Sequence, residues 1–167
     1  MAVAEIIGAA VGVLLLVVVA YVLVGGTLTA AETVATAQKD LTLLNEARLR
    51  TSFNISSTEP LGTCTTGPCL NFSITNNGNE AITDLPHMDV FSFDTVNGYI
   101  RYTYVKKEDD VGDPKTWTIR YFGNDEIHTG ELDPGVTLWI KTNLPSGSAP
   151  TSIQVTTGNG VSTSSKL

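Results

Sequence analysis

Hydrophobic and polar positions divide this chain into two unlike parts. Residues 6–24 (IIGAAVGVLLLVVVAYVLV) are apolar and carry no charge. About 20 such residues cross the hydrocarbon core of a bilayer as one helix. Valines are mediocre helix formers in water. In an apolar medium the backbone can bond only to itself, so helix wins. Gly25-Gly26 follows, at a cost of about 2 kcal/mol relative to alanine. Helical spacing resumes at once in TLTAAETVATAQKDLTLLNEARLRT. There Leu28, Ala31, Val34, Ala35, Leu41 and Leu44 form an apolar stripe, with Glu32, Lys39, Asp40, Glu46 and Arg48 among and between them. The pattern predicts one helix over residues 2–50, with a weak point at the two glycines. At 1.5 Å per residue it would be roughly 70 Å long. Arg48 and Arg50 stand near its end, where cations suit the helix dipole. A membrane anchor needs only the first half of such a rod, whereas a filament core needs all of it. The stripe of the second half is expected to pack on the head or on neighbouring subunits.

From about Thr51 the period changes to two. NISS, CLNFSI, MDVFSF, YIRYTYV, TWTIRYF, VTLWIKT and TSIQVTT each show alternation or β-branched and aromatic enrichment. Turn signals separate them: NNGN at 76–79, Asn97-Gly98, Gly112-Asp113-Pro114, Gly123-Asn124-Asp125, Asp133-Pro134-Gly135 and residues 143–147. Asn97-Gly98 is the strongest hairpin signal. Seven short strands at this spacing predict an antiparallel β-sandwich of immunoglobulin-like type. The polar tail TGNGVSTSSKL reads as an edge strand or a surface arm. The expected fold class is α+β: a long N-terminal α-helix (residues 1–50) followed by an antiparallel immunoglobulin-like β-sandwich head (residues 51–167).

Composition sharpens this division. The 167 residues carry a formal net charge of -7, and the pI is near 4.6. An acidic chain without clustered lysine and arginine is a poor nucleic-acid binder, so no nucleic-acid partner is expected. Between Met1 and Ala31 the ionisable side chains are Glu5 and Tyr21 alone. Glu5 stands at the mouth of a charge-free helix, where a carboxylate is expensive to bury alone. If Met1 is the true N-terminus, its α-amino group is the nearest cation, and in a filament the amine of one subunit could meet Glu5 of a neighbour. The alternative places Glu5 at the headgroup level, in water. Gly8 and Gly12, with Ala9, Ala10 and Ala20, leave room for close helix–helix contact; the alternative is lipid-facing filler. No basic region precedes the apolar run and no small-residue cleavage site follows it, unlike a secretory signal. Either the chain inserts as it stands, or a short basic leader is removed to leave Met1 first.

Candidate chemistry is sparse. Cys64 and Cys69 in CTTGPC predict a disulfide closing a tight loop in an oxidising exterior; the alternative is two inert thiols. Residues 106–113 (KKEDDVGD) gather Glu108, Asp109, Asp110 and Asp113, oxygen ligands of the type that hold calcium. Their spacing does not match an EF-hand loop, and a solvated hairpin tip is the preferred reading. Asn54-Ile55-Ser56 and Asn71-Phe72-Ser73 are sequons, so Asn54 and Asn71 are candidate N-glycosylation sites. His87 and His128 sit in unrelated contexts, beside no nucleophile. No enzyme, cofactor or metal is expected.

A mature N-terminus followed by an uninterrupted apolar helix and then a β head resembles the type IV pilin superfamily. Many of its members carry glutamate at the fifth mature position, where MAVAE puts Glu5. The long helix with an immunoglobulin-like head is most similar to archaellin, the subunit of the archaeal swimming filament. The stretch FSITNNGNEAITDLPHMDVFSFD is similar to one shared by archaellins and small accessory proteins of that machine. MAVAEIIG replaces the glycine-rich start common in archaellins. The resemblance implies a structural role in an extracellular filament. Subunits would wait in the membrane until a prepilin-type leader peptidase and an ATP-driven assembly machinery release and stack them. Many copies of the chain would then bundle through their helices, with Met1, Glu5, Gly8, Gly12, Gly25 and Gly26 at the contacts. The same resemblance leaves two other roles: an accessory protein gripping the cell envelope, or an adhesive pilus subunit.

Overall fold

The computed structural model describes residues 2–59, 62–64, 67–110, 112–123 and 130–167. The chain forms two compact units, Met1–Leu44 and Asn45–Leu167. Residues 45–50 fall in the second unit, where Arg48 and Arg50 bond to head residues.

The first unit is most of α1 (Ala2–Arg50), which runs unbroken through Gly25 and Gly26. Threonine hydroxyls support the backbone around the glycines. Thr27 Oγ1 donates to the Val24 carbonyl (2.9 Å) and Thr29 Oγ1 to the Gly25 carbonyl (3.0 Å). Thr33, Thr36 and Thr42 bond back to Thr29, Glu32 and Gln38 in the same way. Such local bonds satisfy the hydroxyls inside the helix, so these side chains carry no unmet donor into an apolar surrounding. Leu28, Val34, Leu41 and Leu44, the stripe of the second half, are exposed.

The second unit is all β apart from residues 45–50 and two short 3-10 turns. Among the described residues its strands are β1 (Phe53–Thr58), β2 (Gly62–Cys64), β3 (Gly67–Asn76), β4 (Asp89–Asp94), β5 (Gly98–Tyr104), β6 (Thr116–Gly123), β7 (Thr137–Asn143), β8 (Pro150–Thr156) and β9 (Ser162–Lys166). They are ordered β1-β3-β7-β6-β5-β4-β8-β9, with β2 also paired to β3. One layer is β1, β3, β7 and β6; the other is β5, β4, β8 and β9. Pairing is antiparallel except where β5 meets β6 in parallel, Thr103 opposite Thr116 and Tyr104 opposite Trp117. On the other side β1 lies beside β9, so the sandwich is nearly a closed barrel. Inward positions alternate as a half-buried strand requires: Leu70, Phe72 and Ile74 on β3, Leu138 and Ile140 on β7, Ile153 and Val155 on β8. Trp117 fills the centre with its ring against Tyr104, and Leu85, Met88 and Leu132 seal the core from the loops.

Two sequence expectations change, and two are met. Seven strands become nine, because β2 and β9 are held by backbone pairing instead of by a hydrophobic face. The tail is an edge strand, zipped to β8 from Ser152–Lys166 to Thr156–Ser162. The hairpin at Asn97-Gly98 forms, with Asp94 opposite Gly98 and Gly98 at φ +70°. Residues 106–113, however, are not a hairpin tip. They link two parallel neighbours, so the chain must cross over. It does so through a 3-10 turn (Lys107–Asp109) that tucks Asp110 inward. The Asp110 side chain is 8% exposed and meets Lys141 Nζ at 2.8 Å.

Candidate assembly surface

Along α1, the large apolar side chains from Val11 to Val24 are between 49% and 81% exposed. Fully burying one valine or leucine is worth about 1.5–3 kcal/mol, so covering this stretch is worth on the order of 15 kcal/mol. Gly8 and Gly12, four residues apart, share one face of the helix. A Cβ added at Gly8, Gly12, Gly25 or Gly26 would meet nothing within 4 Å. Among the described residues, therefore, none crowds these four positions. Glu5 is exposed. Met1 lies outside the described residues, and with it the proposed amine partner of Glu5.

The C-terminal turn of α1 is locked into the head. Thr51 closes the helix twice, its N–H (3.0 Å) and its hydroxyl (2.8 Å) both donating to the Ala47 carbonyl. The segment NNGN then braces the exit. Asn79 N–H donates to the Arg50 carbonyl (3.0 Å) and Asn77 N–H to the Ser52 carbonyl (2.8 Å). Between them, Gly78 packs directly on this backbone: an added Cβ would collide with the Arg50 carbonyl oxygen and lie 2.6 Å from Ser52 N. Asn76 organises the brace from the core. It is fully buried, donates from Nδ2 to the carbonyls of Glu80 (2.8 Å) and Leu132 (2.7 Å), and accepts Gly78 N–H at Oδ1 (2.9 Å). Asn159 Nδ2 reaches Thr51 Oγ1 (2.8 Å), and Arg48 reaches the Gly160 carbonyl (3.4 Å). The Glu46–Arg50 ion pair (2.6 Å) is exposed and adds little. NNGN is thus more than a turn between strands. The excess of asparagine, which suits side-chain-to-backbone bonding, was the available signal.

The remaining sequence-predicted sites are scattered over the head. Cys64 and Cys69 are joined in a disulfide across the β2–β3 hairpin, their Cα atoms 5.8 Å apart. Asn54 is exposed on β1, whereas Asn71 is half-buried on β3, its amide donating to Glu59 Oε2 at 2.8 Å. The sequon serine Ser73 is buried as well. The described residues hold no cluster of three metal-ligating side chains. Asp110 is spent on Lys141, Asn143 Nδ2 (2.8 Å) and Gly112 N–H (3.1 Å). Burial alone would raise its pKa, but these bonds outweigh burial and hold the carboxyl below its usual range. Asp94 behaves likewise. Burial is opposed by the N–H groups of Val96, Asn97 and Ala149 and by the Ser148 hydroxyl, and the balance lowers its pKa. His87 is exposed and pairs with Asp84 (2.6 Å), and His128 lies outside the described residues.

No family model and no curated protein matches the chain. Solved structures do. The archaeal flagellum of Methanospirillum hungatei matches at a TM-score of 0.62 and 15% identity, over 95% of this chain and 90% of that one. The archaellum periplasmic stator protein FlaG from Sulfolobus acidocaldarius matches at a TM-score of 0.50 and 19% identity, over 70% of this chain and 99% of that one. The fold is thus archaellin-like. A match over 95% of the chain cannot be made without both the helix and the head.

Proposed function

We propose that this chain is the structural subunit of an extracellular archaellum-type filament used for swimming, polymerising through its bundled N-terminal helices. The observation that carries the reading is the likeness to the Methanospirillum filament, which extends over rod and head together. The architecture supports it physically. A bilayer core about 30 Å thick accounts for about 20 residues of helix, and α1 has 49. Before assembly the first half of α1 anchors the subunit in the membrane, with the head outside. On assembly, lipid is exchanged for the helices of neighbouring copies. A prepilin-type peptidase and an ATP-driven machine perform the release, and the chain itself has no catalytic role.

A second reading makes the protein a membrane-anchored accessory component, on the likeness to a stator protein whose whole length is matched. Shearing cells and separating fibres from membranes tests the choice. A filament subunit is the major protein of long fibres that persist on dilution. An accessory protein stays with membranes at low copy. Fibres that form normally in a deletion strain would overturn the filament reading.

A further inference from the structure

The outer face of the β3–β7–β6 layer carries a polar hollow of about 420 Å³ that neither the helix nor the core explains. Its floor is a row of register partners, Asn71 on β3, Lys141 on β7 and Thr118 on β6. Adjacent strands lie about 4.8 Å apart, so the row spans roughly 10 Å. Lys107 and Arg120 stand at its rim, and Asp110 closes one side. Three of the ten lysines and arginines of a net-acidic chain therefore converge here. Among the described residues their partners are few. Lys141 bonds Asp110, Lys107 Nζ bonds the Arg120 carbonyl (2.9 Å), and Arg120 stands 3.8 Å from Glu59.

Two oxygens in the floor are buried and have no partner: Thr118 Oγ1 and Asn71 Oδ1. Thr118 is 2% exposed. The orientation of Asn71 is fixed by its donation to Glu59, so its remaining oxygen is an acceptor and needs a donor. An orphaned buried oxygen costs stability unless something meets it. These requirements select the ligand. Sulfate would satisfy the cations but offers Asn71 Oδ1 no proton, and hydrogen phosphate carries one O–H for two orphaned oxygens while setting up to two negative charges beside Asp110 and Glu59. A neutral sugar offers hydroxyls but leaves the cations unmatched. A single carboxylate on a hydroxylated ring supplies both.

We propose that this hollow binds a polyhydroxylated carboxylate of the uronic-acid type, with the carboxylate on Arg120, Lys107 and Lys141 and hydroxyls on Asn71 and Thr118. The inference is independent of whether the chain is a filament subunit or an accessory protein. It is tested by calorimetric titration of the full chain in detergent with D-glucuronate, D-glucose and inorganic phosphate. Glucuronate should bind at least about tenfold more tightly than either of the others, the loss expected when charge-assisted bonds or hydroxyl bonds are missing. Thr118→Val should weaken glucuronate about fivefold while leaving the melting temperature of the unliganded protein unchanged or raised, since it removes an orphan. Arg120→Gln should abolish the preference for glucuronate over glucose. A tetragalacturonate arm separates sources: tighter binding than the monomer identifies a residue of a polysaccharide, equal binding a free acid. No heat with glucuronate, equal affinity for glucuronate and glucose, or full affinity in both variants would overturn the proposal. A Thr118→Val protein that melts lower and binds normally would show the hydroxyl to be structural.

Discussion

Gly78→Ala probes the joint where α1 ends. Gly78 does not have a left-handed φ, so alanine is not excluded by backbone conformation. It is excluded by crowding: the new methyl would meet the Arg50 carbonyl oxygen and the Ser52 nitrogen. Both are backbone atoms that no rotamer change can move. Relief requires the NNGN segment to lift away, which stretches the two bonds from Asn79 to Arg50 and from Asn77 to Ser52. Each such bond is worth about 1 kcal/mol net, and the Arg50 carbonyl and Asn77 N–H need new partners. The sum is about 2–3 kcal/mol. For a unit of this size 1 kcal/mol moves the midpoint by about 4 °C, so the head should melt roughly 10 °C lower. Thermal unfolding followed by near-ultraviolet circular dichroism measures this. Gly123→Ala is the control, because its Cβ would stand 3.5 Å from the Thr137 carbonyl oxygen, an ordinary contact, and should shift the midpoint by less than about 2 °C. A Gly78→Ala head that melts with the wild type would refute the crowding argument.

Three further outcomes are expected. Glu5→Gln should reduce fibre yield while the head melts normally, and undiminished yield would count against a charge pair at the helix mouth. Asp94 and Asp110 have folded pKa values below 3.8, so the unfolded chain binds more protons near that pH. The stability they contribute is present above pH 3.8 and is lost as pH falls through their folded values. The midpoint should be level from pH 7 to 5 and drop below 4 in a pH series, with a smaller drop in Asp110→Asn. Reducing the Cys64–Cys69 bond releases a very short loop and should cost about 2 kcal/mol, seen as a lower denaturation midpoint in reductant; no change would mean that β-pairing alone holds the hairpin.

How far the sequence revealed this molecule depends on where each element gets its stability. Residues 6–24 declare themselves because nothing but helix satisfies an apolar backbone. Strands with one face on the core, such as Leu70–Phe72–Ile74, show their period. β9 does not, since STSSK is polar on both faces and exists through its ladder with β8. The parallel β5–β6 contact was hidden for a similar reason. It is a long-range pairing of two residue pairs, and the intervening KKEDDVGD reads as a solvated tip unless Lys141 and Asn143, some thirty positions away, are known to receive Asp110. The joint was half legible: the asparagines marked a bend but not the helix end they brace. The row Asn71–Lys141–Thr118 could not be seen before the register of three non-consecutive strands was known.

On the proposed function, α1 trades lipid for copies of itself when subunits join. Both native cysteines are bonded to each other, so single cysteines placed in turn at positions 14–20 supply the only thiols. Oxidative cross-linking of sheared surface material should give covalent dimers at positions recurring with the helical period of about 3.6 residues, where neighbouring helices face each other. Monomers at every position, with the protein recovered only from membranes, would contradict the account.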